Sequence, residues 1–564
     1  MGNVFLDLTV IICIAAFFSL VFRFFKQPEI LAYIVTGVLI ASFHFFKAGS
    51  QDVLQTMSQV GVTLLLFMVG LEIRVSELFS IGKSLFIASI GQVFLTFIAG
   101  FLISSFFKFD VLTSFYVATA LTFSSTIVVV KLLSDQRELH SLHAKFSLGI
   151  LLVQDIVAIF LLMFLSGFGK HVPGTNFLIT FSLILAKGAL LIGIVWLLSR
   201  EVFPKVLDSI AKSSETLFLV SLAWAFGLAA IVSSRYVGFS IEIGGFLAGV
   251  ALANSMVNYQ IIAKAKILRD FFIVIFFVLL GIQMSFANLS QIIIPAIALS
   301  VFVLIAKPFI VMILISISGY RKRTAFLTGI SLSQLSEFSL ILIFIGYKLG
   351  HISQEIVSLI TLVSLITFAF STYMITHWKN LYRHMSKKID FMERKNAKKD
   401  EINVQGESLE NLKDHVVVIG GDQMGQSIME ALLEDKGTEV VVVDFDPSIV
   451  KKLENKKVHR LFGDISDLDI QERARIDKAK LVISTIPDVE DNILLLKELK
   501  HENRKAKIVM MALDSRDAKA LYKEGVDYVI LPHLAGGRQV AKIISGNHID
   551  SIENLRKNDL VYLS

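Results

Sequence analysis

The chain carries one cysteine, Cys13, in 564 residues. It can form no intrachain disulfide, and inside an apolar run it reads as a small hydrophobe. The shortage of cysteine pairs suits a reducing compartment for any soluble part. Charge is scarce too: 18% of residues are charged, against roughly 25% in soluble domains. The N-terminus lacks a basic n-region and a small-residue cleavage site, so Val4–Phe22 is expected to be a retained helix and not a signal peptide. What the chain has in abundance is apolar surface, with 54% of residues of hydrophobic type. Residues 1–375 are long apolar runs separated by short charged loops, and from Thr376 the chain turns charged and then reads as soluble. Two parts are expected, one in a membrane and one outside it.

Thirteen apolar segments are expected to span, at about Val4–Phe22, Ile30–Phe46, Met57–Leu71, Ser84–Phe107, Leu112–Leu132, Leu148–Gly167, Leu178–Leu198, Thr216–Val232, Ser240–Ala253, Phe271–Phe286, Ile292–Gly319, Thr324–Leu349 and Glu355–Ile375. Thirteen crossings put the termini on opposite sides. One set of loops and span ends holds sixteen basic residues, among them Arg23, Arg74, Lys145, Lys264, Lys266, Arg269 and Arg323; the alternate set holds five, Lys47, Lys108, Lys170, Arg235 and Lys348. The positive-inside rule then places the N-terminus outside and the C-terminal domain in the cytoplasm, in a multi-pass protein of the inner (plasma) membrane. The net charge of +6 follows from this topology and asks for no nucleic-acid partner.

Polar residues inside the apolar runs are the functional candidates. Asp155 sits in the middle of Leu148–Gly167, beside Gln154. An ionised carboxylate at that depth costs roughly 2.5–3.5 kcal/mol on insertion scales, so such residues usually coordinate an ion or relay a proton. The fifth segment carries Thr122, Ser124, Ser125 and Thr126 within five residues. Hydroxyls and freed carbonyls at a broken helix can replace an ion's hydration shell; equally, they can back-bond to their own helix or let helices pack closely. Seven segments later, Ser333-Gln-Leu-Ser-Glu337-Phe-Ser339 forms a second polar cluster. The matched placement suggests inverted repeats whose broken helices cross at the midplane. Lys307, just before Pro308, is too deep to snorkel and is expected to pair with Asp155 or Glu337. Glu242 reads as a funnel carboxylate or a ligand, and Lys187 is left open.

Residues 376–413 read as a cytoplasmic helix and linker, followed by alternating strands and helices over 414–535 and a tail over 536–564. Six buried parallel strands are expected at His415–Gly420, Glu439–Asp444, Val458–Asp464, Leu481–Ile486, Lys507–Leu513 and Tyr528–Pro532, which argues a doubly wound, Rossmann-like α/β domain. The first runs into Gly420-Gly421-Asp422-Gln423-Met424-Gly425. A dinucleotide fingerprint wants G-x-G-x-x-G, so that backbone amides approach a pyrophosphate at a helix start. Here Asp422 stands at the middle position, where a carboxylate repels phosphate. Asp444 ends the second strand, placed to accept from a ribose. An adenine nucleotide, AMP or NAD(H), is the expected regulatory ligand.

These residues together resemble the Kef-type members of the cation:proton antiporter-2 family. The matches are Gln154-Asp155, Thr122–Thr126, Phe246-Leu-Ala-Gly249, Gln334-Leu-Ser-Glu337-Phe338 and Phe67-Met-Val-Gly-Leu-Glu72. Asp444-Phe-Asp446 and Phe462-Gly-Asp464 are similar to the TrkA-type nucleotide-binding domain that regulates potassium conductance. The resemblance implies electroneutral exchange of a monovalent cation, K+ foremost, for a proton at Asp155. It also implies a homodimer with a moving core and a dimer-forming domain, and gating by nucleotides or, in some relatives, glutathione. Relatives with two adjacent acids tend to be Na+-linked and electrogenic; Gln154 removes one acid and points to one-for-one exchange. Nothing in the loops carries glutathione gating over.

Other classes fare worse. A potassium channel needs a TVGYG-like filter, and Ile345-Gly-Tyr-Lys348 does not match it. The stretch after Pro532 leaves no room for the substrate domain of an NAD enzyme. A Na+/H+ antiporter of the same fold stays open.

Overall fold

In lipid a backbone must satisfy its own polar groups, and an apolar run does so as helix. The structure is a computed structural model. It describes residues 4–43, 51–72, 83–136, 141–168, 177–210, 213–234, 237–255, 257–284, 289–318, 320, 322–385, 388–389, 412–434, 437–444, 447–453, 456, 458–463, 465, 468–487, 489–502 and 505–545. The chain divides into two units, Met1–Lys395 and Asn396–Ser564.

The first unit is helical: α1 Val4–Phe24, α2 Glu29–Ser42, α3 Gln51–Glu72, α4 Lys83–Phe106, α5 Val111–Thr122, α6 Thr126–Asp135, α7 Leu142–Phe168, α8 Phe177–Glu201, α9 Phe203–Ile210, α10 Ser214–Ser233, α11 Ile241–Leu252, α12 Asn258–Ile282, α13 Leu289–Val301, α14 Lys307–Ile317, α15 Lys322–Ser331, α16 Glu337–Lys348, α17 Gln354–Thr376 and α18 Trp378–Met385. Each of the thirteen apolar segments contains a helix or an interrupted helix among its described residues. Among the described residues, eight are long and apolar enough to cross a membrane. Three helices begin well before the expected residue: α3 at Gln51 in place of Met57, α7 at Leu142 in place of Leu148, and α12 at Asn258 in place of Phe271. In the tenth segment, Lys264, Lys266 and Arg269 therefore ride on helix, not loop. The ninth, α11, has 12 residues, or about 18 Å of rise, well short of the roughly 30 Å hydrocarbon layer.

The helices sort into two bundles by what they pack on. One contains α1–α3 with α10–α12; the other contains α4–α7 with α13–α17. The first is closed by glycines. A Cβ on Gly249 would lie 2.9 Å from the Gly70 Cα, and one on Gly281 would lie 2.9 Å from the Gly37 Cα. Small residues let backbones touch where lipid gives no hydrophobic drive to associate. The glycines of Phe67-Met-Val-Gly70 and Phe246-Leu-Ala-Gly249 are therefore one contact seen from two helices.

In the second bundle two helices are interrupted, α5/α6 at 123–125 and α15/α16 at 332–336. Between α13 and α14 the helix widens to a π turn over Phe302–Ala306, and the Lys307 N–H bonds the Phe302 carbonyl, five residues back. Pro308 follows, with no N–H to give. Such π turns often accompany functional sites.

The second unit is a six-stranded parallel sheet: β1 Val416–Ile419, β2 Val440–Asp444, β3 His459–Phe462, β4 Leu481–Ser484, β5 Lys507–Met511 and β6 Tyr528–Ile530, in the order 3-2-1-4-5-6. All six fall inside the expected strands. The Val runs of β1 and β2 are wholly buried, as a parallel sheet covered on both faces requires. This is the doubly wound order whose switch point lies between β1 and β4. Helix α19, Gln423–Leu433, follows β1.

Candidate functional site

The two interruptions meet. Ser124 Oγ donates to the Leu332 carbonyl at 2.9 Å, and Ser339 Oγ donates to Ala120 O at 2.6 Å. Ser125 Oγ donates to Glu337 Oε1 at 2.7 Å, and Gln334 Nε2 reaches Ser125 O at 3.4 Å. The matched polar clusters of the fifth and twelfth segments thus form a single crossing. Each break exposes two free helix ends. The ends starting at Thr126 and Glu337 present N–H groups and the positive end of a half-helix dipole; those ending at Thr122 and Ser331 present carbonyls and the negative end.

The acids collect at the positive ends. Thr126 Oγ1 donates to Asp155 Oδ2 at 3.0 Å. Asp155 Oδ1 is sealed from the surface and has no hydrogen-bond partner among the described residues. Glu337 opens α16 and is 5% exposed. Ser125 and Ser336 cap α6 and α16, accepting from Val128 N at 3.2 Å and Phe338 N at 3.1 Å.

Lys307 serves the opposite ends. It is fully buried and was expected to pair with a carboxylate. Instead Nζ donates to Phe123 O at 2.9 Å and to Gln334 O at 3.2 Å, one carbonyl from each break. The physical reason is the pair of negative half-helix ends, which together act on a cation much as an acid would. Gln334 is held in turn by Ser371 Oγ at 2.6 Å.

Two other candidates have protein partners of their own. Thr122 Oγ1 bonds back to Ala118 O at 2.9 Å, so its hydroxyl belongs to its own helix. The Gln154 carbonyl oxygen accepts the Ser124 N–H at 2.9 Å, and its amide donates to Gln92 Oε1 at 2.6 Å. Gln154 thus holds the break, while Asp155, one residue on, faces it. Gln92 went unnoticed in the sequence because a single Gln in an apolar helix makes no motif.

Around this crossing lie further charges. Glu72 stands within electrostatic range of Asp155, Arg269 and Lys266, and Arg269 within range of Glu337. Glu242 is buried at the start of α11 within electrostatic range of Lys348, whose Nζ lies 4.5 Å from the Phe344 ring centre. Lys187 donates to Val237 O at 3.3 Å.

In the second unit, Gly420 has φ +89°, and a Cβ on Gly425 would strike the Gly420 carbonyl. The first and last glycines of the turn are thus required by its shape. Gly421 N–H donates to Asp444 Oδ2 at 2.7 Å, which anchors the turn to the end of β2. Asp422 caps α19, its carboxylate accepting from Gly425 N at 3.5 Å. Gln423 and Met424 form the first turn of that helix. Asp446 and Asp464 lie outside the described residues. At the far end of β1, burial holds His415 below its usual pKa, a neutral imidazole bonded to Ala474 O at 2.9 Å.

Comparison with known proteins bears on the family and the fold. Residues 9–379 match the family described as sodium/hydrogen exchanger, transmembrane, and residues 416–532 match the TrkA-N domain. The putative cation/proton antiporter YbaL of Escherichia coli (strain K12) is 23% identical over 524 residues, covering 92% of either chain. The glutathione-regulated potassium-efflux system protein KefC of Enterobacter sp. (strain 638) is 24% identical over 505 residues, covering 88% of this chain and 78% of that one. The sodium proton antiporter MjNhaP1 of Methanocaldococcus jannaschii shares the fold, with a TM-score of 0.51 at 16% identity, over 67% of this chain and 97% of that one. With the membrane domain matched over most of its length and a TrkA-N domain behind it, the chain belongs to the sodium/hydrogen exchanger family, as a cation/proton antiporter of the Kef type.

Proposed function

We propose that this protein exchanges K+ for a proton, one for one, and that Asp155 carries each in turn. The observation that supports this most is the Asp155 carboxylate itself: Thr126 holds Oδ2, while Oδ1 is sealed at the crossing with no donor among the described residues. A cation stabilises the ionised carboxylate and a proton neutralises it, so the two compete for the same lone pairs. Gln154, committed to the break, adds no second acid. Potassium is favoured because the KefC relative is named for potassium efflux. The decisive measurement is flux in proteoliposomes. K+ gradients should drive proton movement with no transport current, and Na+ gradients should do so more weakly. Faster exchange with Na+ favours the second reading, a Na+/H+ antiporter of the same fold. A current that scales with membrane potential overturns one-for-one exchange.

The remaining readings follow from the same premise. The basic loops favour an N-terminus outside and a second unit in the cytoplasm of an inner-membrane protein. The glycine-closed bundle is the dimer-forming part of a homodimer, and the bundle holding Asp155 is the moving core.

The TrkA-N domain sets the active fraction by binding an adenine nucleotide, AMP or NAD(H), at the Gly420–Gly425 turn. Such control needs different affinity in the two states, since binding alone shifts nothing. Asp444→Ala releases the Gly421 amide and should weaken nucleotide binding while sparing cation affinity. Asp422→Gly should act in the opposite direction. It restores the middle glycine and removes a carboxylate from the phosphate position, and a Gly cap costs only a few tenths of a kcal/mol. Calorimetry on the full chain showing no heat with AMP, ATP, NAD+ or NADH at millimolar concentration reduces the domain to a structural role.

A further inference from the structure

The α5/α6 break is bridged by two side-chain amides, each 30 residues in sequence from the break residue that it bonds. Ser124 N–H needs an acceptor, which fixes Gln154 Oε1 on it at 2.9 Å. The Gln154 amide nitrogen is then the group that donates to Gln92 Oε1 at 2.6 Å. With its oxygen taken, Gln92 gives its own amide hydrogens to the Thr122 carbonyl at 3.2 Å and to Thr96 Oγ1 at 3.1 Å. The donor–acceptor chain is closed. It starts on the N–H just after Phe123, runs through two glutamines, and ends on the carbonyl just before it. Phe123 O itself goes to Lys307. Both glutamines are 0% exposed, so no water competes for these bonds.

We propose that Gln92 is a positioning residue for cation exchange: through Gln154 and Thr122 it fixes the α5/α6 break, and so fixes where Thr126 meets Asp155. This rests on Asp155 being the exchange site. Gln92 touches neither Asp155 nor the cation. It acts by deciding which way the neighbouring amide points. Turned the other way, Gln154 would set an NH2 against the Ser124 N–H and leave that N–H unpaired. Residue 155 follows directly on residue 154, so a change in the helix there moves the carboxylate with it.

The test compares Gln92→Leu and Gln92→Glu with the native chain in proteoliposomes, reading maximal rate and half-saturating K+ concentration separately, with thermal unfolding alongside. Removing partners that orient ion ligands commonly costs about 10–100-fold in affinity. Gln92→Leu should therefore raise the half-saturating concentration by that order while the folded fraction stays near native. Gln92→Glu should restore native behaviour at acidic pH, where a protonated carboxyl accepts from Gln154 and donates to Thr122. It should lose that behaviour at alkaline pH, where the donor is gone. The charged groups at this crossing are Lys307 on α14, Asp155 on α7 and Glu337 on α16, so Asp155→Asn serves as a parallel control. A Gln92→Leu protein with native half-saturation, or one whose loss of rate only tracks its loss of folded protein, overturns the positioning role. If Asp155→Asn itself still exchanges, the Asp155 reading fails instead, and the two failures are told apart.

Discussion

Asp155→Asn is expected to bring exchange down to the rate of protein-free liposomes while leaving the fold in place. The substitution is close to isosteric, and its amide oxygen can still accept from Thr126 Oγ1, which donates to Oδ2 at 3.0 Å in the native chain. What disappears is the negative charge and the ability to bind a proton reversibly. A neutral amide offers a dehydrated monovalent cation one carbonyl in place of a full charge, and it never releases a proton when the cation arrives. Thermal unfolding should shift little, since the variant also removes a buried carboxylate with one unpartnered oxygen. Well-folded Asp155→Asn protein with substantial exchange would falsify the assignment.

Lys307→Met should be the most destabilising of the single changes considered. Methionine fills a comparable volume but donates nothing, so Phe123 O and Gln334 O both lose their partner in a fully buried place. An orphaned buried acceptor costs about 1–3 kcal/mol, which puts the loss from the two at roughly 2–6 kcal/mol. The lower end is expected, because removing the ammonium also removes its own desolvation penalty. Two negative half-helix ends are then left facing each other without a cation, and exchange should fall with stability. Lys307→Gln keeps a donor and drops the charge, so it should unfold between the native and Met proteins. It should also still exchange without current, because the lysine binds carbonyls and is not paired with the exchanging acid. Equal unfolding temperatures for the native and Met proteins would show that these bonds contribute nothing.

Much of this was legible in the sequence, and the limits have physical causes. Asp155 could be found because charge at bilayer depth is costly enough to be rare. The two breaks could be found because hydroxyl clusters have no reason to face lipid. The sheet could be found because fully buried parallel strands leave unbroken valine runs, as at Val416–Ile419 and Val440–Asp444. The partner of Lys307 could not, because a backbone carbonyl carries no sequence signature and becomes an attractive site only where a helix stops. Gln92 lies 62 residues from Gln154, so only the fold brings the two amides together. Asp422 was read as an obstacle to phosphate. It is also the cap of α19, a role that sequence alone does not separate from a lost ligand site.

The widened turn at Phe302–Ala306 holds an extra residue without turning the helix that follows it. A π turn holds one residue more than the α-helical ladder would, and each residue of an α-helix turns the chain by about 100°. If one residue were deleted there, the ladder would close to ordinary spacing without breaking. Lys307 N–H would then still bond Phe302 O, now four residues back, and the ammonium would keep its aim at both carbonyls. The turn is therefore a place where the chain tolerates a change of one residue in length. A residue lost from the α-helical stretch before it would instead turn Lys307 by about 100° away from both breaks.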